Sequence, residues 1–104
     1  MSTRRILTRR QLKPESVAEY RRLHDNFAPE LAQAYSQAGF VQMSTFLCGN
    51  DLIFCGEVDS EVYAREQAAL EQNPLEQRWQ ALMETLNAPE TISQAYVEVF
   101  HWPR

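Results

Sequence analysis

Residues 40–58, "FVQMSTFLCGNDLIFCGEV", constrain the fold of this chain more than any other stretch. Two short apolar runs meet at "CGN", where Gly49 and Asn50 both tolerate positive φ, and that pattern predicts a β-hairpin. Within "DLIFCGEV", Leu52, Ile53 and Phe54 are consecutive. Successive strand side chains point to opposite faces, so apolar groups go to both sides of the sheet. The closing run "AYVEVFHW" repeats the pattern, with Tyr96 and Phe100 on one face and Val97 and Val99 on the other. An antiparallel sheet covered by helices on one side shows polar residues on its open side. Here both faces call for cover, and the simplest cover for the second is another copy of the same sheet, which predicts a homodimer.

The rest of the chain fits around that hairpin. "RRILTRRQL" reads as a first strand, Arg4 to Leu12. "KPES" opens a helix with Pro14 in its tolerant first turn, and Pro29 interrupts it. A second helical piece through Leu31, Ala34, Tyr35 and Ala38 stops at Gly39. After the hairpin, Asp59 or Ser60 caps a helix carrying Val62, Ala69 and Leu70. Pro74 breaks that helix, and the next one places Trp79, Leu82, Met83 and Leu86 on one side. "AYVEVFHW" is the last strand. The order strand, helix, strand, strand, helix, strand is the split β-α-β, ferredoxin-like plan of the α+β class, one sheet with helices on one face.

With 104 residues the chain is expected to form one domain, 1–104. At that size an isolated domain buries roughly two-thirds of its unfolded surface, so a partner that covers more adds stability. The net charge of −4 offers no broad basic surface for nucleic acid or an anionic membrane. The one basic cluster, Arg4, Arg5, Arg9 and Arg10, reads as solvated edge charge along the first strand. No apolar run approaches the roughly 18 residues of a membrane span, and "MSTRRILTRR" is too charged for a signal peptide, so a cytoplasmic protein is expected. Cys48 and Cys55 are then expected as free, half-buried sheet thiols. Two cysteines and two histidines at unrelated spacings form no zinc motif, and no glycine-rich phosphate loop is present.

The chemistry-bearing candidates begin with "VAEYRRLHDNFAPEL", where Tyr20 and His24 lie four apart on the stripe of Val17, Leu23, Phe27 and Leu31. Residues at that spacing share a helix face. Neutral imidazole offers one donor and one acceptor and titrates near neutral pH, so it can take a proton from one oxygen and return it to another. Core packing is the commoner role for such a pair. Trp79 is core by default and a stacking wall for a sugar ring in the minority case. His101 and Trp102 pack the carboxyl terminus or line a pocket mouth, and Arg78 is either solvated or grips a substrate oxygen. Asp25, Glu30 and Glu57 are individually nondescript acids. The residues alone reach a small α+β dimer with a candidate histidine pocket.

"EYRRLHDNFAPEL", "LIFCGEVDSE", "NPLEQRWQALM" and "VEVFHWP" together resemble the L-rhamnose mutarotase family, small cofactor-free enzymes that interconvert sugar anomers. The resemblance spans Arg5 to Pro103. It implies a dimeric α+β barrel of ferredoxin-like protomers acting on a small deoxy sugar, without metal or cofactor. Carried over by residue, His24 resembles the family's acid/base histidine, Tyr20 its pocket tyrosine and Trp79 the first of two adjacent pocket aromatics. Phe27, Arg78 and His101 complete the expected substrate-binding set. Two departures stand out. Ala28 occupies the position before Pro-Glu where the family has tryptophan, and Gln80 replaces the second tryptophan. Both are apolar walls in the family, so L-fucose competes with L-rhamnose as the expected sugar. The rival expectations are a non-catalytic barrel that binds another small metabolite, and a barrel monooxygenase.

Overall fold

In a computed structural model, which describes residues 2–104, the chain runs β1 (Thr3–Gln11), a 3-10 turn (Pro14–Ser16), α1 (Val17–Asp25), α2 (Pro29–Gln37), β2 (Phe40–Cys48), β3 (Asp51–Asp59), α3 (Ser60–Gln72), α4 (Pro74–Leu86) and β4 (Gln94–Tyr96). The four strands form one antiparallel sheet in the order β2-β3-β1-β4. This is the ferredoxin-like plan that the element order predicts.

Local chemistry sets each boundary. The hairpin turns on Gly49 and Asn50, but only Gly49 takes positive φ, at +59°. Asn50 instead ties the turn to β1, its Nδ2 donating to the Leu12 carbonyl at 2.8 Å while its own carbonyl accepts from the Leu12 amide. Ala28 and Asn73 each precede a proline and are extended, so both long helical runs divide into two helices at those points. The Asp59 side chain caps α3, accepting from the Glu61 and Val62 amides, and Asn73 Oδ1 caps α4 through the Leu75 amide.

Along β3, Leu52, Gly56 and Val58 are buried while Ile53, Cys55 and Glu57 are half-buried. One side of the sheet therefore meets the helices. Tyr20, Leu52, Met83 and Leu86 close around Leu12 in one cluster, and Leu31, Tyr35, Ala38 and Leu70 form a second. Trp79 packs against both, at the seam.

Four expectations need correction. The last strand is three residues long, because Val97 to Arg104 run past β1 without joining its ladder. Val97, Val99, Phe100 and Trp102 are left exposed there. The arginines are not edge charge, since β1 lies inside the sheet. Arg5 pairs with Glu57 and Glu98, Arg9 pairs with Asp51, and Arg4 lies over the Tyr63 ring. Leu82 is exposed although Met83 and Leu86 beside it are buried, the helical turn carrying it off the core stripe. Cys48, at the end of β2, is exposed rather than half-buried, whereas Cys55 is half-buried as expected.

Candidate active site

The helix spacing that places Tyr20 and His24 on one face of α1 brings their rings to 4.1 Å between centroids, tilted by 30°. The His24 Nδ1 lies 2.9 Å from the Tyr20 carbonyl oxygen one turn back. A carbonyl only accepts, so the neutral ring carries its proton on Nδ1 and presents Nε2 as an unprotonated acceptor. Trp79, from α4, meets the imidazole edge-on at 5.0 Å, and Phe27 meets Trp79 in the same manner at 5.0 Å. Phe27 stands in the short link between α1 and α2, where Pro29 forces the corner.

Burial lowers the pKa of His24, the Tyr20 carbonyl opposes that shift, and the positive charge of Arg10 reinforces it. Burial raises the pKa of the Tyr20 phenol, with Thr45 and Arg10 opposing, so the hydroxyl stays protonated. At neutral pH the pair is a neutral imidazole with a free basic nitrogen beside a protonated phenol.

These groups line a cavity of about 510 Å³, bounded by the helices and the sheet face they cover, and within the size range of small-molecule sites. Phe27, Phe54, Met43 and Trp79 supply apolar wall. Polar groups gather in two places. Arg10 and Thr45 lie near His24 and Tyr20, and the Arg10 Nε is buried without a hydrogen-bond partner. The second group is Tyr35, Glu76 and Gln80. The buried Tyr35 hydroxyl donates to the Glu76 carboxylate, 2.5 and 2.7 Å from its two oxygens, and the Gln80 amide reaches Tyr35 Oη at 3.4 Å. Burial raises the pKa of both: Glu76 against the pull of Tyr35 and Gln80, and Tyr35 further still because of the carboxylate beside it.

Tyr20, His24, Phe27 and Trp79 thus meet in one cavity. Arg78 and His101 do not line it. Arg78 is exposed on α4, because the residue before Trp79 points about 100° away around the helix. His101 sits on the exposed tail, its Nδ1 3.8 Å from Glu98, at a separate groove between that tail and β1. Arg10, Tyr35 and Glu76 are cavity residues that the sequence reading passed over. The spacing of Glu76, Trp79, Gln80 and Met83 along α4 was the available sign, since positions i, i+3, i+4 and i+7 share a face. Among the described residues, no three His, Cys, Asp or Glu side chains are grouped to hold a metal ion.

Residues 5–102 match the family model for L-rhamnose mutarotase. The chain belongs to the L-rhamnose mutarotase family. An L-rhamnose mutarotase of Jannaschia sp. (strain CCS1) is 36% identical over 97 residues, covering 89% of this chain and 92% of that protein. That of Acidiphilium cryptum (strain JF-5) is 33% identical over 102 residues, covering 94% and 97%. The crystal structure of an L-rhamnose mutarotase from Formosa agariphila superposes with a TM-score of 0.77 at 23% identity, covering 96% of this chain and 99% of that one, and shows the shared fold. The resemblance read from the motifs is therefore borne out. Within this member of the family, Ala28 is exposed, and Gln80, the departure noted at the second tryptophan position, joins the polar corner of Tyr35 and Glu76.

Proposed function

We propose that this protein interconverts the α and β anomers of a 6-deoxy-L-hexose by acid/base ring opening and closure, with His24 as the proton shuttle. The observation that carries this reading is His24, its Nδ1 tied to the Tyr20 carbonyl so that Nε2 is left as the acceptor, lining an aromatic-walled cavity in a chain of the L-rhamnose mutarotase family. Nε2 takes the proton of the anomeric hydroxyl, the C1–O5 bond breaks as the C1 carbonyl forms, and the proton held on Nε2 passes to the ring oxygen O5. Rotation about C1–C2 and the reverse steps deliver the other anomer. The Tyr20 carbonyl and ring hold the imidazole in the required tautomer and plane, and Trp79 gives the sugar's C–H face a surface to stack on. Positioned acid/base groups supply roughly 10²–10⁴-fold, which suits a reaction that already proceeds in water.

L-rhamnose stands first because the relatives bear its name, and L-fucose second because Ala28 and Gln80 change the walls. Exchange between the α and β anomeric NMR signals tests both sugars. Catalysed exchange of at least one is expected, and binding without exchange would leave a metabolite-binding barrel instead.

The working unit in this proposal is a homodimer, built through the sheet face away from the helices. Phe46, Ile53, Leu7 and Tyr96 form the apolar part of that face, and Phe46 is 59% exposed on the protomer. The tail from Val97 to Trp102 adds apolar groups beside it. A crystallised ferredoxin-like neighbour from an uncultured marine organism is described as dimeric, in keeping with such an assembly. A cytoplasmic site of action belongs to the same reading; among the described residues, no helix is long and apolar enough to cross a membrane.

A further inference from the structure

The corner formed by Tyr35, Glu76 and Gln80 has no part in the proton shuttle, yet it lines the same cavity. We propose that Glu76 reads the sugar's hydroxyls: its carboxylate, aimed by Tyr35, accepts hydrogen bonds from hydroxyls away from the anomeric carbon and so decides which sugar is taken. The inference rests on the mutarotase reading above and goes further, to the residue that sets specificity.

Three observations support it. First, an ionised carboxylate has about four acceptor sites. A single Tyr35 hydroxyl bridges the two oxygens, and the Gln80 amide stands off at 3.4 and 3.5 Å, so acceptor capacity remains. Second, among the described residues no cation forms an ion pair with Glu76, although the group is half-buried. Satisfying the buried Tyr35 hydroxyl needs only a neutral acceptor. A charge kept there against desolvation is explained by donors that arrive with a ligand. Third, the cavity is polarised. Arg10 acts on Tyr20 and His24, Glu76 acts on Tyr35 and Tyr63, and Phe27 lies against both His24 and Tyr35. A neutral polyol suits this arrangement, with hydroxyl donors for Glu76, an oxygen for the Arg10 end, and C–H surface for the aromatic walls.

Glu76→Gln keeps the shape and an acceptor for Tyr35 but removes the charge and half of the acceptor capacity. Saturation-transfer binding and NMR anomer exchange would be measured with L-rhamnose, L-fucose and their singly deoxygenated analogues. Expected is a rise in Kd and KM of about 10- to 100-fold, the range of a lost hydrogen bond to a charged group, with kcat changed only a few-fold. The penalty for removing the hydroxyl that Glu76 reads should shrink in the variant. Tyr35→Phe should give a smaller loss of the same kind, because it leaves the carboxylate without its aim. A folded Glu76→Gln protein with unchanged Kd and unchanged preference overturns the proposal. Should that variant not fold, wild-type protein binding every deoxygenated analogue as tightly as the parent sugar overturns it equally. The two readings fail separately. Wild-type protein that binds sugar without exchanging anomers removes the mutarotase reading and leaves the binding comparisons to judge Glu76, whereas protein that binds none of the sugars removes both.

Discussion

His24 is tied at one nitrogen and free at the other, and its consequences are testable at that residue. Asparagine retains a hydrogen-bonding group but no titration near neutral pH, so His24→Asn should lower anomer exchange by roughly two to four orders of magnitude. Sugar affinity and thermal midpoint should move little, because His24 is only half-buried. Tyr20→Phe should cost less in rate, since the ring against His24 and the carbonyl that fixes its tautomer both remain. A variant His24→Asn that exchanges anomers at the wild-type rate would remove the shuttle. The lowered pKa also fixes the direction of the pH response. Below the ordinary value of 6.5, the unfolded chain takes up a proton that the folded chain resists. The His24 contribution to stability is therefore full above that pH and is lost as pH falls through the interval down to the depressed native value. Catalysed exchange should fall over the same range as the base becomes protonated. The difference in urea stability between wild type and His24→Asn, followed from pH 7 downward, isolates this slope from the other titrating groups.

At the scale of elements, the join between α2 and β2 is the strictest position. Gly39 has φ +101°, and an added Cβ would stand 3.0 Å from the Tyr63 amide nitrogen and 3.1 Å from the Asp59 carbonyl oxygen. Its own carbonyl accepts from the Asp59 amide at 2.8 Å, so the same residue anchors the end of β3. Gly39→Ala should destabilise by about 1–3 kcal/mol from backbone strain, with contact strain added. For a domain of this size each kcal/mol lowers the thermal midpoint by about 4–8 °C. Gly49→Ala is the control: φ is +59° but no atom beyond its chain neighbours lies within 4 Å of the new Cβ, so only the backbone term applies. Equal midpoints for the two variants would show that the close approach at Gly39 contributes nothing.

For the whole molecule, the proposed dimer rests on the open sheet face. Phe46 stands opposite Ile53 on that face and is 59% exposed. On a monomer, replacing an exposed side chain changes stability by about 0.5 kcal/mol or less. Across a dimer interface, Phe46→Glu would bury a charge without a partner and should shift sedimentation from dimer to the 12.1 kDa protomer. Wild-type protein sedimenting as a monomer at micromolar concentration would remove the dimer from the proposal.

The sequence by itself determined the elements except the extent of the last strand, their order, and half of the candidate site. Alternation, prolines, caps and the Gly49 turn are local, and Tyr20 with His24 share a face because four residues make about one helical turn. The family was legible for the same reason, since its motifs are contiguous stretches. Tertiary structure decided what lies far apart in the chain. Tyr35 and Glu76 are forty-one positions apart and meet only when α2 and α4 pack together. Arg10 belongs to the cavity because β1 is an inner strand, a fact of sheet order that no local pattern encodes. The length of β4 was misjudged on the same ground. "VEVFHW" has the composition of a strand, but a strand forms only where a neighbour offers its backbone, and beyond Tyr96 this protomer supplies none that is used.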